Sequence, residues 1–169
     1  MNFKHIFCTL FFCFSTVVIA QKYKSTSASS ISKEWQGITF TSDKTLRENI
    51  AQSASFSVMT TILENKSLTT QLYSQEMITV FVANDTSFMS LDKDARKALL
   101  ADSQRVTQLV KFLTIPGRVD KNSIQKAISV SGGTAYFITL EGEKLAVTKK
   151  EEAFVISDSK GNSAVIKET

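Results

Sequence analysis

The feature that most constrains this chain is a change of period part-way along it. Up to about residue 130 the apolar residues recur at helical spacing, and after Gly132-Gly133 they fall into short β-rich runs. Phe56, Met59, Ile62 and Leu63 mark one buried helix face. Val106, Leu109, Val110 and Leu113 mark another, with i, i+3, i+4, i+7 spacing. Leu46 and Ile50 predict an earlier helix, Leu68 and Leu72 a short third one, and Ala95, Leu99 and Leu100 a helix capped by Asp92. Pro116-Gly117 stops the Val106 run, and Asp120 or Ser123 starts one more helix through Ile124, Ala127 and Ile128. Met77-Ile78-Thr79-Val80-Phe81-Val82 breaks the helical part as a buried strand, followed by the N-cap cluster Asn84-Asp85-Thr86-Ser87. Strands are expected at 134–140, 144–148, 153–157 and 163–167, joined by turns at Glu141-Gly142-Glu143 and 158–162. Helices first and a strand meander last predict an α+β domain.

What chemistry such a domain can carry depends on where its reactive side chains lie. Both cysteines (Cys8, Cys13) and the only histidine (His5) fall within residues 1–20. That stretch reads as a signal peptide: Lys4 and His5, an uncharged apolar run, then Val18-Ile19-Ala20 with small residues placed for cleavage after Ala20. The run is short for a membrane span. Phe12 before Cys13 argues against a lipoprotein signal, which requires a small residue there. A chain starting at Gln21 has no disulfide, no Cys or His metal site, no Ser-His-Asp triad and no catalytic thiol. No cofactor is expected. Export without cysteine fits a secreted, periplasmic or cell-surface protein of the bacterial envelope, with no transmembrane span after cleavage. Residues 21–41 read as a Ser-rich linker whose Trp35 and Phe40 dock at its junction with the domain, and 42–169 as the domain itself.

The charge balance is 20 Lys+Arg against 16 Asp+Glu, a net +4. The two signs are interleaved, as in Asp92-Lys93-Asp94-Ala95-Arg96-Lys97 and Lys149-Lys150-Glu151-Glu152. That is a solvated surface rather than a basic stripe for a phosphate backbone, so no nucleic-acid partner is expected. Glu141, Glu143, Glu151 and Glu152 are the close acidic pairs among the strands that a glycan hydrolase could use, but Glu141 and Glu143 flank a glycine in a turn, which offers no apolar pocket to raise an acid's pKa. Ser90-x-x-Lys93 and Ser123-x-x-Lys126 have the spacing of a serine–lysine nucleophile pair without its companion motifs. They read as caps beside solvated lysines. The Asp158–Asn162 turn lacks the ligand spacing of a calcium loop.

Four blocks, in order, carry a resemblance. Thr79-Val80-Phe81-Val82-Ala83-Asn84-Asp85-Thr86-Ser87-Phe88 resembles the TVFAPT(N/D)xAF motif of the fasciclin domain family. Leu109-Val110-Lys111-Phe112-Leu113-Thr114-Ile115-Pro116-Gly117-Arg118-Val119 is similar to that family's LLKYHVVPGRV segment. Lys44-Thr45-Leu46-Arg47-Glu48-Asn49-Ile50 resembles its first helix, and Ser123-Ile124 through Gly133 with the following strands resembles its closing sheet. Val82-Ala83-Asn84 stands where the family has Ala-Pro-Thr, and Phe112-Leu113 where it has a Tyr-His pair implicated in adhesion. Thr169 falls about where a final family strand would begin, so the expectation is either that the sequence is a fragment or that the sheet lacks one strand, which would leave an unpaired edge.

The resemblance implies helices packed on a small sheet or β-wedge. It also implies a non-enzymatic adhesion module that binds extracellular or cell-surface protein or polysaccharide. Carried over residue by residue, its binding segment comprises Thr79, Phe81, Asn84, Asp85 and Phe88 from the first motif, with Phe112, Leu113, Pro116 and Gly117 from the second. From the residues alone, Asn84 and Asp85 read as helix caps, and Phe112 and Leu113 as core. A self-associating structural envelope protein is the alternative, and a carboxylate-based glycan hydrolase the third.

Overall fold

A computed structural model describes residues 30–167, so the proposed signal peptide and its cleavage site lie outside the described residues. The chain opens with a hairpin where a linker was expected. β1 (Ser32–Trp35) pairs antiparallel with β2 (Ile38–Thr41) through a tight turn at Gln36-Gly37, both in the left-handed region at φ 51° and 74°. The linker expectation for 21–41 is thus corrected over residues 32–41. Trp35, Ile38 and Phe40 together supply more apolar surface than a serine-rich composition suggested. Trp35 stacks on Phe56 with ring centroids 5.4 Å apart, and both Trp35 and Phe40 pack on the first core. Asn49 clasps the hairpin from the next helix: the Thr41 amide donates to Asn49 Oδ1 (2.8 Å), and Asn49 Nδ2 donates to the Thr41 carbonyl (2.9 Å).

The helical part follows the spacing of its apolar residues. α1 (Leu46–Ile50) starts at a capping box of Thr45 and Glu48. A 3-10 turn (Ala54–Phe56) leads into α2 (Ser57–Ile62), and Asn65 caps α3 (Lys66–Tyr73). α4 (Asp85–Met89), α5 (Lys93–Ala101) and α6 (Ser103–Phe112) begin at Asn84, Asp92 and Asp102, whose side chains each accept amide N–H bonds of the first turn. Met59, Leu68, Leu72, Phe88 and Val110 are buried together in the first core. α5 buries none of its residues.

Between these helices, β3 (Ile78–Val80) pairs with β4 (Thr114–Pro116). The strand expected over 77–82 as buried is shorter and only half-buried. Among the described residues β4 is its one ladder partner, Met77 is exposed, and after the Phe81 amide's bond to the Leu113 carbonyl the chain turns towards the Asn84 cap.

α7 (Lys121–Val130) then lies on one face of an antiparallel meander of β5 (Thr134–Ile138), β6 (Lys144–Lys150), β7 (Ala153–Ser157) and β8 (Ser163–Ile166), in that order. Ile124 and Ile128 of α7 meet Ala135, Val147 and Phe154 in a second core. The Leu140 amide donates to the Thr114 carbonyl (2.8 Å) and ties the end of the meander's first strand to β4. β8 stands at the free side of the meander with Val165 exposed. The architecture is α+β, with mixed helices, small antiparallel sheets and a strand meander last. Among the described residues no helix is long and apolar enough to cross a membrane.

Candidate functional site

The β3–β4 pairing places the two motif segments side by side although they are more than thirty residues apart in sequence. Ile78 faces Pro116, Thr79 faces Ile115 and Val80 faces Thr114. The ladder extends at both ends, because the Phe81 amide donates to the Leu113 carbonyl and the Gly117 amide to the Met77 carbonyl, each at 2.8 Å. All nine residues carried over from the motifs therefore belong to this pair of strands or to the segments that enter and leave it.

Their side chains do different things. Thr79 holds the turn that follows β4. Its hydroxyl donates to the Gly117 carbonyl (2.8 Å) and accepts from the Val119 amide (2.9 Å). Gly117 itself sits at φ +89°, a conformation that disfavours any residue with a Cβ. Asn84 is the N-cap of α4, accepting from the Ser87 amide (3.0 Å) and hydroxyl (2.9 Å). Phe88 is a core residue, 3% exposed. Phe81, Phe112, Leu113 and Gly117 are half-buried, and Pro116 is exposed. Leu113 closes α6 as its C-cap, so it and Phe112 are less buried than a core assignment requires.

Asp85 corrects an expectation in an instructive way. It is a cap, but for a different helix from the one it opens. Its Oδ2 accepts from the Ser57 amide (3.0 Å) and hydroxyl (2.5 Å), and its Oδ1 accepts from the Val58 amide (3.0 Å). The two amides are among the N–H groups at the start of α2 that have no partner within the helix, where a carboxylate is favoured. Partial burial pushes the Asp85 pKa up. The Ser57 hydroxyl and the Val58 and Ser57 amides together outweigh it and hold the carboxyl below its ordinary value. Residues 57 and 85 are far apart in sequence, and no periodicity links them, so sequence reasoning had no signal for this contact.

The other chemically suggestive groups are also accounted for locally. The Ser90 hydroxyl donates to the Ser87 carbonyl (2.7 Å), and the Ser123 hydroxyl is part of the capping box with Asp120, so neither is set against a lysine. Glu141, Glu143, Glu151 and Glu152 are exposed in turns, and Glu152 pairs with Lys149 at 3.6 Å. Asp158 accepts from the Lys160 and Asn162 amides and from Asn162 Nδ2, which closes its own turn; these contacts, Asn162 Nδ2 first, keep its carboxyl below the ordinary value. Among the described residues no group of three His, Cys, Asp or Glu is placed to hold a metal. The depressions open to solvent among the described residues include two between packed elements. One, of about 380 Å³, lies between α2 and the α5–α6 junction, with Val58, Ile62, Leu100 and Val106 in its walls. The other, about 240 Å³, lies beside Gln71, Gln75, Lys111 and Leu140.

The fasciclin domain family model matches residues 54–169, most of the described chain. The chain belongs to the fasciclin domain family. No curated protein sequence matches it. Fasciclin domains are in general extracellular adhesion and interaction modules and are typically non-enzymatic. Within this fasciclin domain, the Thr79 and Asn84 side chains are engaged in internal hydrogen bonds and Phe88 is in the core. Of the remaining motif residues, Pro116 is exposed and Phe81, Phe112 and Leu113 are half-buried.

Proposed function

We propose that this fasciclin domain is an exported, non-enzymatic interaction module that binds extracellular or cell-surface protein or polysaccharide. The β3–β4 frame presents the binding segments. The observation that carries the reading is the division of labour just described: Thr79, Asn84 and Asp85 hold the frame, and Phe112, Leu113 and Pro116 stand at its rim with apolar surface left to bury. Among the described residues, every carboxylate whose pKa is displaced is held down by hydrogen bonds in a turn or cap, which suits scaffolding rather than acid catalysis. Export through residues 1–20, with cleavage after Ala20, is part of the same proposal.

The test is binding of folded 21–169 and its Phe112→Ser and Pro116→Ser variants to extracellular matrix and whole cells of its source. Weakened binding by variants that unfold at the wild-type temperature supports the reading. Undiminished binding moves the surface elsewhere on the domain.

A second reading has its own observation. β8 is an outer strand of Ser-Ala-Val-Ile with no charge and no proline, features that leave a strand open to pairing with another chain. Self-association through it is tested by light scattering across a concentration series. Oligomers that Val165→Lys abolishes support the second reading, and a monomer at every concentration removes it.

A further inference from the structure

The four-stranded meander has two faces, and among the described residues a helix lies on only one of them. α7 covers the face of Ala135, Val147 and Phe154. The alternation of the strands turns the other residues outward, and the register lines them up in rows across the sheet. One row runs Tyr136, Ala146, Ser157, Ser163. The next runs Thr134, Thr148, Val155, Val165. Lys144, opposite Ile138, flanks the first row, and Lys150, opposite Ala153, flanks the second. The result is a shallow track with a floor of small, hydroxyl-bearing and aliphatic side chains, an aromatic ring at one end and a lysine on each side.

We propose that this track binds an anionic polysaccharide whose chain runs across the strands. The proposal rests on the interaction-module reading and names the class of partner. Three features point to this occupant. The outward side chains of these strands include no carboxylate, and their only charges are lysines; the acidic residues of the meander sit in its turns. Tyr136 is 59% exposed, and Lys144 Nζ lies over its ring, 4.5 Å from the centroid, so a cation sits on one face of an exposed aromatic ring. Neighbouring strands are about 4.8 Å apart, close to the length of one pyranose along a chain, so successive sugars meet successive strands. The C–H faces of the sugars then rest on Tyr136 and the valines, their hydroxyls meet serine and threonine, and their carboxylates face Lys144 and Lys150. An anionic membrane fits less well, because it calls for a continuous apolar face or a lysine cluster, and here hydroxyl residues separate Tyr136 from Val165.

The experiment titrates folded 21–169 against polygalacturonate, neutral dextran and phosphatidylserine vesicles, with binding to whole cells measured in parallel. The variants are Tyr136→Ala and the double change Lys144→Gln with Lys150→Gln, with Lys66→Gln on α3 as control. The expected result is saturable binding to polygalacturonate, weakened by added salt, absent for dextran, several-fold weaker in both sheet variants and unchanged in the control. All of these positions are exposed or at strand ends, and wild-type melting temperatures confirm that the variants fold. Equal binding by wild type and sheet variants overturns the proposal, as does a preference for the vesicles. Cell binding that survives the sheet variants overturns it while leaving the module reading intact. A folded wild type that binds neither cells nor polyuronate overturns both.

Discussion

Replacing Asp85 by alanine tests how the first motif holds the fold. The carboxylate accepts three hydrogen bonds from Ser57 and Val58 and so joins the start of α4 to the start of α2. Loss of an ordinary N-cap costs about 0.5–2 kcal/mol, and hydrogen bonds to a charged group contribute about 1.5–3 kcal/mol. Asp85 is only half-buried, so solvent replaces part of what is lost and the expected cost is about 2 kcal/mol. In a domain of this size that lowers the melting temperature by roughly 6–8 °C. Asp85→Asn keeps one acceptor oxygen, and its cost is expected to fall between wild type and alanine. The pH dependence has a definite sign. Because the folded-state pKa is lowered from 3.8, the contribution is complete above that value and disappears as pH falls through the lower folded one. Denaturant unfolding from pH 7 to pH 2 measures both effects. If Asp85→Ala unfolds within about 0.5 kcal/mol of wild type at pH 7, the range of ordinary surface substitutions, the bridging role is refuted.

Three further substitutions probe neighbouring parts of the frame. Thr79→Val leaves the Val119 amide and Gly117 carbonyl without their shared partner and is expected to cost about 1–3 kcal/mol by chemical denaturation. Gly117→Ala meets no neighbouring atom but forces alanine to φ +89°, so about 1–2 kcal/mol is expected from backbone strain alone, read from the same curves. Trp35→Ala removes the stacking on Phe56 and should raise amide exchange across β1 and β2 well before α6 is affected; uniform exchange rates would show that the hairpin is not held by that ring.

The parts of this fold that repeat along the sequence were legible in it. The α6 face of Val106 and Val110 and the four strands of the meander follow from period alone, since each buries one face against a single layer. The β1–β2 hairpin was hidden because its apolar content rests on three residues, Trp35, Ile38 and Phe40, after a serine-rich run. The adjacency of Thr79 to Gly117, and of Asp85 to Ser57, depends on chain paths that no local pattern records. The motif resemblance named two segments that the fold pairs, without indicating which of their residues are structural. The lysine-flanked track was illegible for another reason: its rows exist only once the turn lengths fix the register of four strands.

The most direct test of the central claim is a binding titration of folded 21–169 on whole cells of its source at low and at high salt. A specific adhesive surface gives saturable binding that persists, though weakened, when salt screens the net charge of 21–169, which is +3 because the chain's +4 loses Lys4. Binding that never saturates, or that vanishes completely in salt, would contradict the account and leave only nonspecific charge attraction.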